Sequence, residues 1–478
     1  MGGDGHSVVR RLVGRGSVYT LSLGVQLSAA LLVVPILTRL LPQSSYGRVA
    51  AALVVVSLVQ VFATGGLSEV AARAWFRSAQ GPGHARRLAL ASVPIAALVG
   101  LLFDLTGPLW ARALSLPYGP VLRVGVWTGA VAGVLLTAQA LLRAADRPWT
   151  FLCTAALASA GAQGIALGLT AAYRSPLAYM VGLGAGTSLA TAAALQRSHV
   201  LTDGLPSVGE VRSALAIGLP VLPHNFAVYA LAAADRLVIV ALLGLSAAGR
   251  YQVAYAVGGL GVTLITALNQ AWLPLFLGAD DDERWSVLRT TSAAVHRIAI
   301  AAAGVLALLA PIGLAIAAPP SYGRTSLVAV SAIVAVSAVP YATCSAYFHG
   351  LFFEGDTRWM GISAPLAAVL NIVMNILLLR AWGLIAAAVA TVAAYAVFAA
   401  VGVYASHGRP GRSALLRDSA LSWLAVIPAV ACGALLPSDG GGLIVRIVLA
   451  AGLLAALARP AFRFLPTPLT ASNRITPR

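Results

Sequence analysis

Lysine is absent: all 32 basic residues of this 478-residue chain are arginine. A GxxxxGK[ST] phosphate loop needs its lysine to reach the nucleotide phosphates, so nucleotide hydrolysis of that kind is excluded. Acidic residues are scarce too, 15 Asp and Glu in all, leaving a formal charge of +17. Cysteine occurs three times, at Cys153, Cys344 and Cys432, each inside an apolar run and none in a CxxC or beside a histidine. Neither a disulfide framework nor a zinc site fits that spacing; three free, buried thiols are expected, with no metal and no cofactor.

Charge itself is the largest deficit. Only 10% of residues are charged, 59% are hydrophobic, and the mean hydropathy is +0.87. A chain of this size with that balance has lipid as its main solvent. Its arginines fall between apolar runs of about 20 residues and not on one contiguous face, which reads as membrane topology and not as nucleic-acid binding.

Span-length windows predict an all-α polytopic membrane protein of about fourteen crossings, seven between residues 17 and 243 and seven between 251 and 458. The expected organisation is a basic N-terminus (1–16), a six-helix lobe (17–200), a linker (201–212), a second six-helix lobe (213–405), a loop (406–418), two further crossings (419–458) and a tail (459–478). The first apolar run is long enough to span and ends in "PILTRLLPQ" without a small-x-small cleavage site, so it reads as an uncleaved crossing. An even number of crossings puts both termini on one side. Placing that side in the cytoplasm puts most arginines there, as expected for a multi-pass protein of a bacterial inner membrane. The longest connections, around "SEVAARAWFRSAQGPGHARR", "QRSHVLTDGLPSVGEVR" and "GADDDERWSVLRTTSAAVHR", are then cytoplasmic loops. The acidic run Asp280, Asp281, Asp282 and Glu283 lacks a ligand pattern and reads as a solvated loop opening a helix.

The chain also repeats itself. Setting Leu40–Val54 over Leu242–Ala256, an offset of 202, matches six of fifteen positions, including Gly47 with Gly249 and Arg48 with Arg250. Both copies fall at the outer turn between the first two crossings of a six-crossing unit, so the lobes are expected to be parallel repeats about an axis along the membrane normal, an arrangement used by transporters.

Three blocks carry a family likeness: "TRLLPQSSYGRVAAALVVVSLVQVFATGGLSEVAARAW", "GLPVLPHNFAVYALAAADRLVIVALLGLSAAGRYQVAYAVGGLGVTLITALNQAWLPLF" and "LNIVMNILLLRAWGLIAAAVATVAAY". Over residues 17–404 the chain resembles the polysaccharide (O-antigen type) flippases of the multidrug/oligosaccharidyl-lipid/polysaccharide exporter superfamily. The third block departs from the pattern, with Leu379, Arg380, Ala381 and Trp382 where an Ile-Pro-Lys-like stretch would precede Gly383. The resemblance implies two lobes around a central cavity, alternating access, and a polyprenyl-diphosphate-linked oligosaccharide as cargo.

Against that background Asp235 and Arg236, adjacent inside an apolar run, are the leading candidates. Neighbours on a helix point about 100° apart, so each is expected to find its partner on another helix. Two readings stand: an ion pair that fixes helix packing, or Arg236 facing the cavity to grip diphosphate with its planar fork while Asp235 orients it or exchanges a proton. His224 and Asn225 lie deeper in the same crossing, beside Pro220 and Pro223, which remove backbone donors and kink or open the helix. His224 is either a coupling group or a neutral donor to a freed carbonyl.

Gln26 in the first crossing, and Asn269 with Gln270 in "ALNQAW", are further polar candidates for the cavity. Arg48 and Arg250 either snorkel to headgroups or meet the departing diphosphate symmetrically. Asn371 and Asn375, at i and i+4, fit amide-mediated helix association. Arg143, Arg297 and His349 would attract cargo from the cytoplasmic leaflet.

The expected activity is transport and not catalysis: flipping of the lipid-linked glycan to the outer leaflet for surface polysaccharide synthesis. Its partners are the cargo, membrane lipids, and the polymerase and glycosyltransferases of the same pathway; nucleic acid is not among them. Alternatives within the superfamily are a peptidoglycan lipid-precursor flippase and a multidrug cation antiporter. The latter is disfavoured by the scarcity of intramembrane acids, Asp104 and Asp235 alone. A membrane glycan ligase or glycosyltransferase would need outer-loop acids, of which Asp439 is the only one.

Overall fold

The computed structural model describes residues 21–461 except 23, 27, 30, 78–80, 278–282, 357 and 409–411. The basic N-terminus, Asp280 to Asp282 and the tail beyond residue 461 therefore lie outside the described residues. Every regular element among the described residues is helical.

The first half comprises α1 (Gly24–Leu40), α2 (Gln43–Thr64), α3 (Leu67–Arg77), α4 (Gly81–Leu105), α5 (Gly107–Ala113), α6 (Pro120–Ala144), α7 (Pro148–Ala156), α8 (Ala162–Tyr173) and α9 (Pro176–Arg197). The second comprises α10 (Val208–Gly218), α11 (Leu222–Leu243), α12 (Leu245–Gly258), α13 (Leu260–Leu277), α14 (Arg284–Leu308), α15 (Ala310–Ala317), α16 (Arg324–Ala335), α17 (Ala338–Phe353), α18 (Arg358–Trp382) and α19 (Leu384–Ala405). Two further helices follow, α20 (Arg412–Leu435) and α21 (Gly440–Ala461).

Among the described residues, twelve helical stretches are long and apolar enough to cross a bilayer, and the bent pair α12–α13 makes a thirteenth. With the shorter apolar helix α1 these correspond to the fourteen windows read from the sequence.

Several crossings are interrupted for reasons the sequence supplies. The crossing of α10 and α11 tightens into a 3₁₀ turn at Leu219–Val221, where Pro220 and Pro223 withdraw two backbone donors. The pair α12–α13 bends by 49° next to Gly258 and Gly259. Gly258 also needs its lack of a side chain, since a Cβ there would lie 2.4 Å from the Ser331 carbonyl oxygen. A π-turn at Leu157–Gly161 joins α7 to α8 within one crossing.

Lipid contact explains the apolar exterior: Leu98, Leu102, Ile376, Leu377 and Leu454 all face outward. Only 11% of the α21 window is buried, which puts this helix on the periphery. The thiols follow the same logic. Of the three expected to be buried, only Cys344 is; Cys153 is exposed and Cys432 half-buried. An apolar side chain in a crossing is as well satisfied by lipid as by protein, so an apolar run does not imply burial.

Part of the segment expected as a loop around "SEVAARAWFR" is helix α3. Leu67, Val70, Ala71 and Ala74 recur at helical spacing and are buried against Leu88 and Val200, while Glu69 and Arg73 sit on the other side.

The halves meet at both ends of the molecule. Away from the 201–212 linker, one core takes Val49, Val55 and Val59 from α2 and Val126 from α6 together with Ile239, Tyr251, Val253 and Leu314. The helices α2 and α12 cross there at the repeated glycines. A Cβ on Gly47 would lie 1.8 Å from the carbonyl oxygen of Leu245, and one on Gly249 would lie 2.2 Å from that of Gln43. Gln43 and Leu245 are themselves related by the 202-residue offset, so the contact is reciprocal and places the pseudo-symmetry axis between the two glycines. At the linker end, a Cβ on Gly66 would lie 2.4 Å from the Gly218 carbonyl oxygen, again joining the first half to the second.

Candidate functional site

Asp235 and Arg236 sit on α11 and are buried, with 1% and 5% of their surfaces exposed. The helical angle between neighbours does not keep them apart: Arg236 curls back, and its Nη1 donates to Asp235 Oδ1 at 2.8 Å and to the Ala232 carbonyl. The reach of the arginine stem adds this mutual pair to the partners expected on neighbouring helices.

Cross-helix partners are present as well. Tyr251 Oη donates to Asp235 Oδ2 at 2.7 Å and lies 3.3 Å from Thr391 Oγ1 of α19. Arg236 Nε donates to Gln252 Oε1 at 3.0 Å, and the guanidinium lies 3.9 Å from the ring centre of Tyr255. Carboxylate, hydroxyl, amide and aromatic face thus satisfy one buried ion pair, joining α11, α12 and α19.

The linker end holds a second polar cluster, between the halves. Ser207 and Glu210 form a capping box at the start of α10: the Glu210 amide donates to Ser207 Oγ at 3.2 Å and the Ser207 amide to Glu210 Oε2 at 2.7 Å. The other carboxylate oxygen, Oε1, reaches α4, at 2.9 Å from His84 Nδ1, 2.8 Å from Arg87 Nη2 and 3.2 Å from Arg87 Nε. Beside it Arg86 Nη1 donates to Asp203 Oδ2 of the linker at 2.7 Å. That hydrogen bond, together with the positive charge of Arg86, holds the Asp203 carboxyl below the usual carboxylate range. This cluster borders a cavity of about 570 Å³ lined by Arg73, His84, Ser207, Glu210 and Ser213 among others.

The candidates from the sequence are scattered relative to that cavity, and none of Arg236, Arg48, Arg250, Asn225, Gln26, Asn269, Asp235 or His224 lines it. Arg250 is turned onto the turn before α16, donating through Nε to the Tyr322 carbonyl at 3.2 Å and through Nη2 to Ser326. Arg48 is half-buried on α2 at the repeat-related place. Gln26 bonds within its own helix, Nε2 to the Ser22 carbonyl at 3.1 Å. His224, Asn225 and Asn269 are half-buried, and the Gln270 side chain lies outside the described residues.

Asn375 Nδ2 donates to the Asn371 carbonyl at 2.8 Å, a bond inside α18. His349 is buried, its ring 4.6 Å from that of Trp272. Arg143 stacks over Phe151 at 5.2 Å, and Arg297 is half-buried. Asp104 accepts from Arg123 Nε at 2.9 Å and from Tyr118 Oη at the opposite end of the molecule from the linker. Burial and that carboxylate push the Tyr118 phenol up to about 12. Asp439 is exposed.

Two further features have weak or no signals in the sequence. Glu210 stands in an S-x-x-E pattern that marks a helix start, but nothing local points to partners more than a hundred residues earlier. Arg446, fully buried on α21, donates to the carbonyls of Leu308, Gly433, Leu436 and Pro437.

The fold has known counterparts. A lipid II flippase MurJ in its inward closed conformation superposes with a TM-score of 0.72 at 13% identity, covering 94% of this chain and 99% of that one. An inward-facing multidrug resistance MATE family transporter of the MOP superfamily superposes at 0.63 with 16% identity, over 83% and 96% of the respective chains. A MOP superfamily transporter from Pyrococcus furiosus gives 0.56 at 15% identity, over 85% and 96%. No curated protein sequence matches the chain. At such identities the likeness establishes architecture: an all-α membrane protein with the fold of these transporters. In sequence, the family model described as polysaccharide biosynthesis protein matches residues 36–313, more than half of the chain. The chain is therefore a member of the polysaccharide biosynthesis protein family, in agreement with the blocks that resemble the polysaccharide flippases.

Proposed function

We propose that this protein is a flippase that moves a polyprenyl-diphosphate-linked oligosaccharide from the inner to the outer leaflet of a bacterial inner membrane by alternating access. The observation that carries the reading is membership of a polysaccharide biosynthesis family on a transporter fold with pseudo-symmetric halves. A diphosphate sugar head crosses hydrocarbon only if protein groups replace its water, because unsolvated charge there is expensive. Contacts between the halves at Gly47–Gly249 and at Gly66–Gly218 lie at opposite ends, as two gates require. With both termini and the linker in the cytoplasm, the first faces outward and the second inward.

Within this reading Asp235 and Arg236 brace α11 against α12 and α19, the packing role open to them from the sequence. Arg48, Gln26, Asn225, Asn269 and His224 are proposed to meet the cargo in other stages of the cycle, and Arg250 to steady the outer mouth. The activity is transport without catalysis, and the polymerase and glycosyltransferases of the pathway are its proposed partners.

Deletion of the gene, followed by leaflet-resolved detection of the labelled lipid-linked glycan, tests the proposal. Build-up on the inner leaflet supports it, and normal export refutes it. A second reading, a peptidoglycan lipid precursor as cargo, is favoured by the structural likeness to a lipid II flippase. Depletion separates the two: lysis points to the precursor, and loss of a dispensable surface polymer points to the glycan.

A further inference from the structure

The carboxylate of Glu210 occupies a site built for an anion. One oxygen, Oε1, is held by His84 Nδ1 at 2.9 Å and by two nitrogens of Arg87 at 2.8 and 3.2 Å. A guanidinium presenting Nε and Nη2 to oxygen is the fork that recognises phosphate as readily as carboxylate. The site is not sealed. It opens on the cavity of about 570 Å³ at the linker end, on whose wall Arg73 adds a second guanidinium and Ser207 and Ser213 supply hydroxyls. His84 and Glu210 line the cavity, whereas Arg87 stands behind the Glu210 carboxylate; all three side chains are between 21% and 23% exposed, so an anion entering from the cavity meets His84 first and reaches the Arg87 fork by taking the place of that carboxylate. The donors and the carboxylate belong to different halves, His84 and Arg87 to α4 and Glu210 to α10.

We propose that His84, Arg87 and Arg73 form the entry site for the diphosphate of the cargo, and that Glu210 is an internal stand-in for it, displaced when the cargo arrives. The site deepens the flippase reading and rests on it for the identity of the ligand. Displacement removes the contacts from Glu210 to α4, while the Arg86–Asp203 pair, the Gly66–Gly218 approach and the apolar packing of Val211 and Ala214 against α3 and α4 remain at this end. Binding energy for the anion is thereby spent on loosening the inward gate, and an empty transporter keeps its own gate shut.

The test uses the purified full chain in detergent and inorganic diphosphate as the probe, followed by isothermal titration calorimetry. Glu210→Gln removes the competing charge yet keeps the capping box, because glutamine serves at that position as glutamate does. It should bind diphosphate at least about tenfold more tightly than wild type, the scale of one charge-assisted hydrogen bond set free. Arg87→Gln should abolish measurable binding, and the double variant should lose the gain. Glu210→Asp, whose shorter arm retracts from Arg87 but keeps the helix cap, should fall between wild type and Glu210→Gln, and it serves if the glutamine variant does not fold.

A Glu210→Gln protein that binds no more tightly than wild type overturns the proposal, as does a double variant that keeps the gain. The leaflet assay fails or succeeds separately. Inner-leaflet build-up on deletion without the diphosphate gain removes this site and leaves the flippase. The gain without a flipping defect leaves an anion site on a protein with another task.

Discussion

Replacing Arg446 by methionine should detach the last two helices from the second half. The guanidinium is fully buried, and among the described residues no carboxylate pairs with it; its three nitrogens make four hydrogen bonds to main-chain oxygens instead. Leu308 ends α14, Gly433 lies in the last turn of α20, and Leu436 and Pro437 follow directly on that helix. The carbonyls of Leu308 and Gly433 are among those a helix C-terminus leaves without partners, and all four lie at the negative end of a helix dipole. Hydrogen bonds from a charged donor contribute about 1.5–3 kcal/mol each. Four of them are set against a desolvation penalty of several kcal/mol for the guanidinium, which the variant no longer carries. The net expectation is a loss of about 3–5 kcal/mol, the scale seen when one member of a buried charged network is removed. Hydrogen exchange on the detergent-solubilised protein should show it as lost protection confined to α20, α21 and the last turns of α14, with α2 and α6 unchanged. Arg446→Lys keeps the charge but not the fork and should recover only part. Unaltered exchange in α20 and α21 of Arg446→Met would refute the assignment of this residue as the clip between them and α14.

Asp235→Asn leaves Arg236 charged and buried without its carboxylate and should cost about 3–5 kcal/mol in resistance to thermal aggregation; the pair Asp235→Asn with Arg236→Met should recover most of it. Equal melting of single and double variants would mean the pair contributes nothing. Gly249→Leu places a side chain where even a Cβ lies 2.2 Å from a carbonyl oxygen, so α2 and α12 cannot close and flipping should cease while the protein still reaches the membrane. Unimpaired flipping would show that this end need not close. Asp203 has its carboxyl lowered by Arg86. Its pairing therefore stabilises the linker end above the ordinary aspartate pKa of about 3.9 and is lost as pH falls through the lower folded value. Melting curves of wild type and Asp203→Asn should differ at neutral pH and converge in that acid range; a constant gap would count against the pairing.

Hydropathy located the crossings because a bilayer demands length and apolarity of each one. Their interruptions were legible where proline stands, as at Pro220 and Pro223; the bend at Gly258–Gly259 was not read from the sequence. The Gly47 and Gly249 match could be read as a repeat, but nothing in one dimension says that the two copies touch. Asp235 and Arg236 stood out by charge, whereas their mutual pairing depends on how far a four-bond stem can fold back. The Glu210 cluster was hidden for a different reason: its donors lie on α4, and only the packing of α10 beside α4 brings them together. Arg446 has no signal of its own in the sequence, since a ligand set of four carbonyls has no side-chain signature.

The reciprocal meeting of Gly47 with Leu245 and of Gly249 with Gln43 resembles the dyad of a dimer built from a single chain. In such a contact neither side can withdraw alone: moving one backbone out of the other's groove empties both grooves in the same displacement. In the proposed transport cycle, opening at that mouth is then a single cooperative event that parts both contacts together.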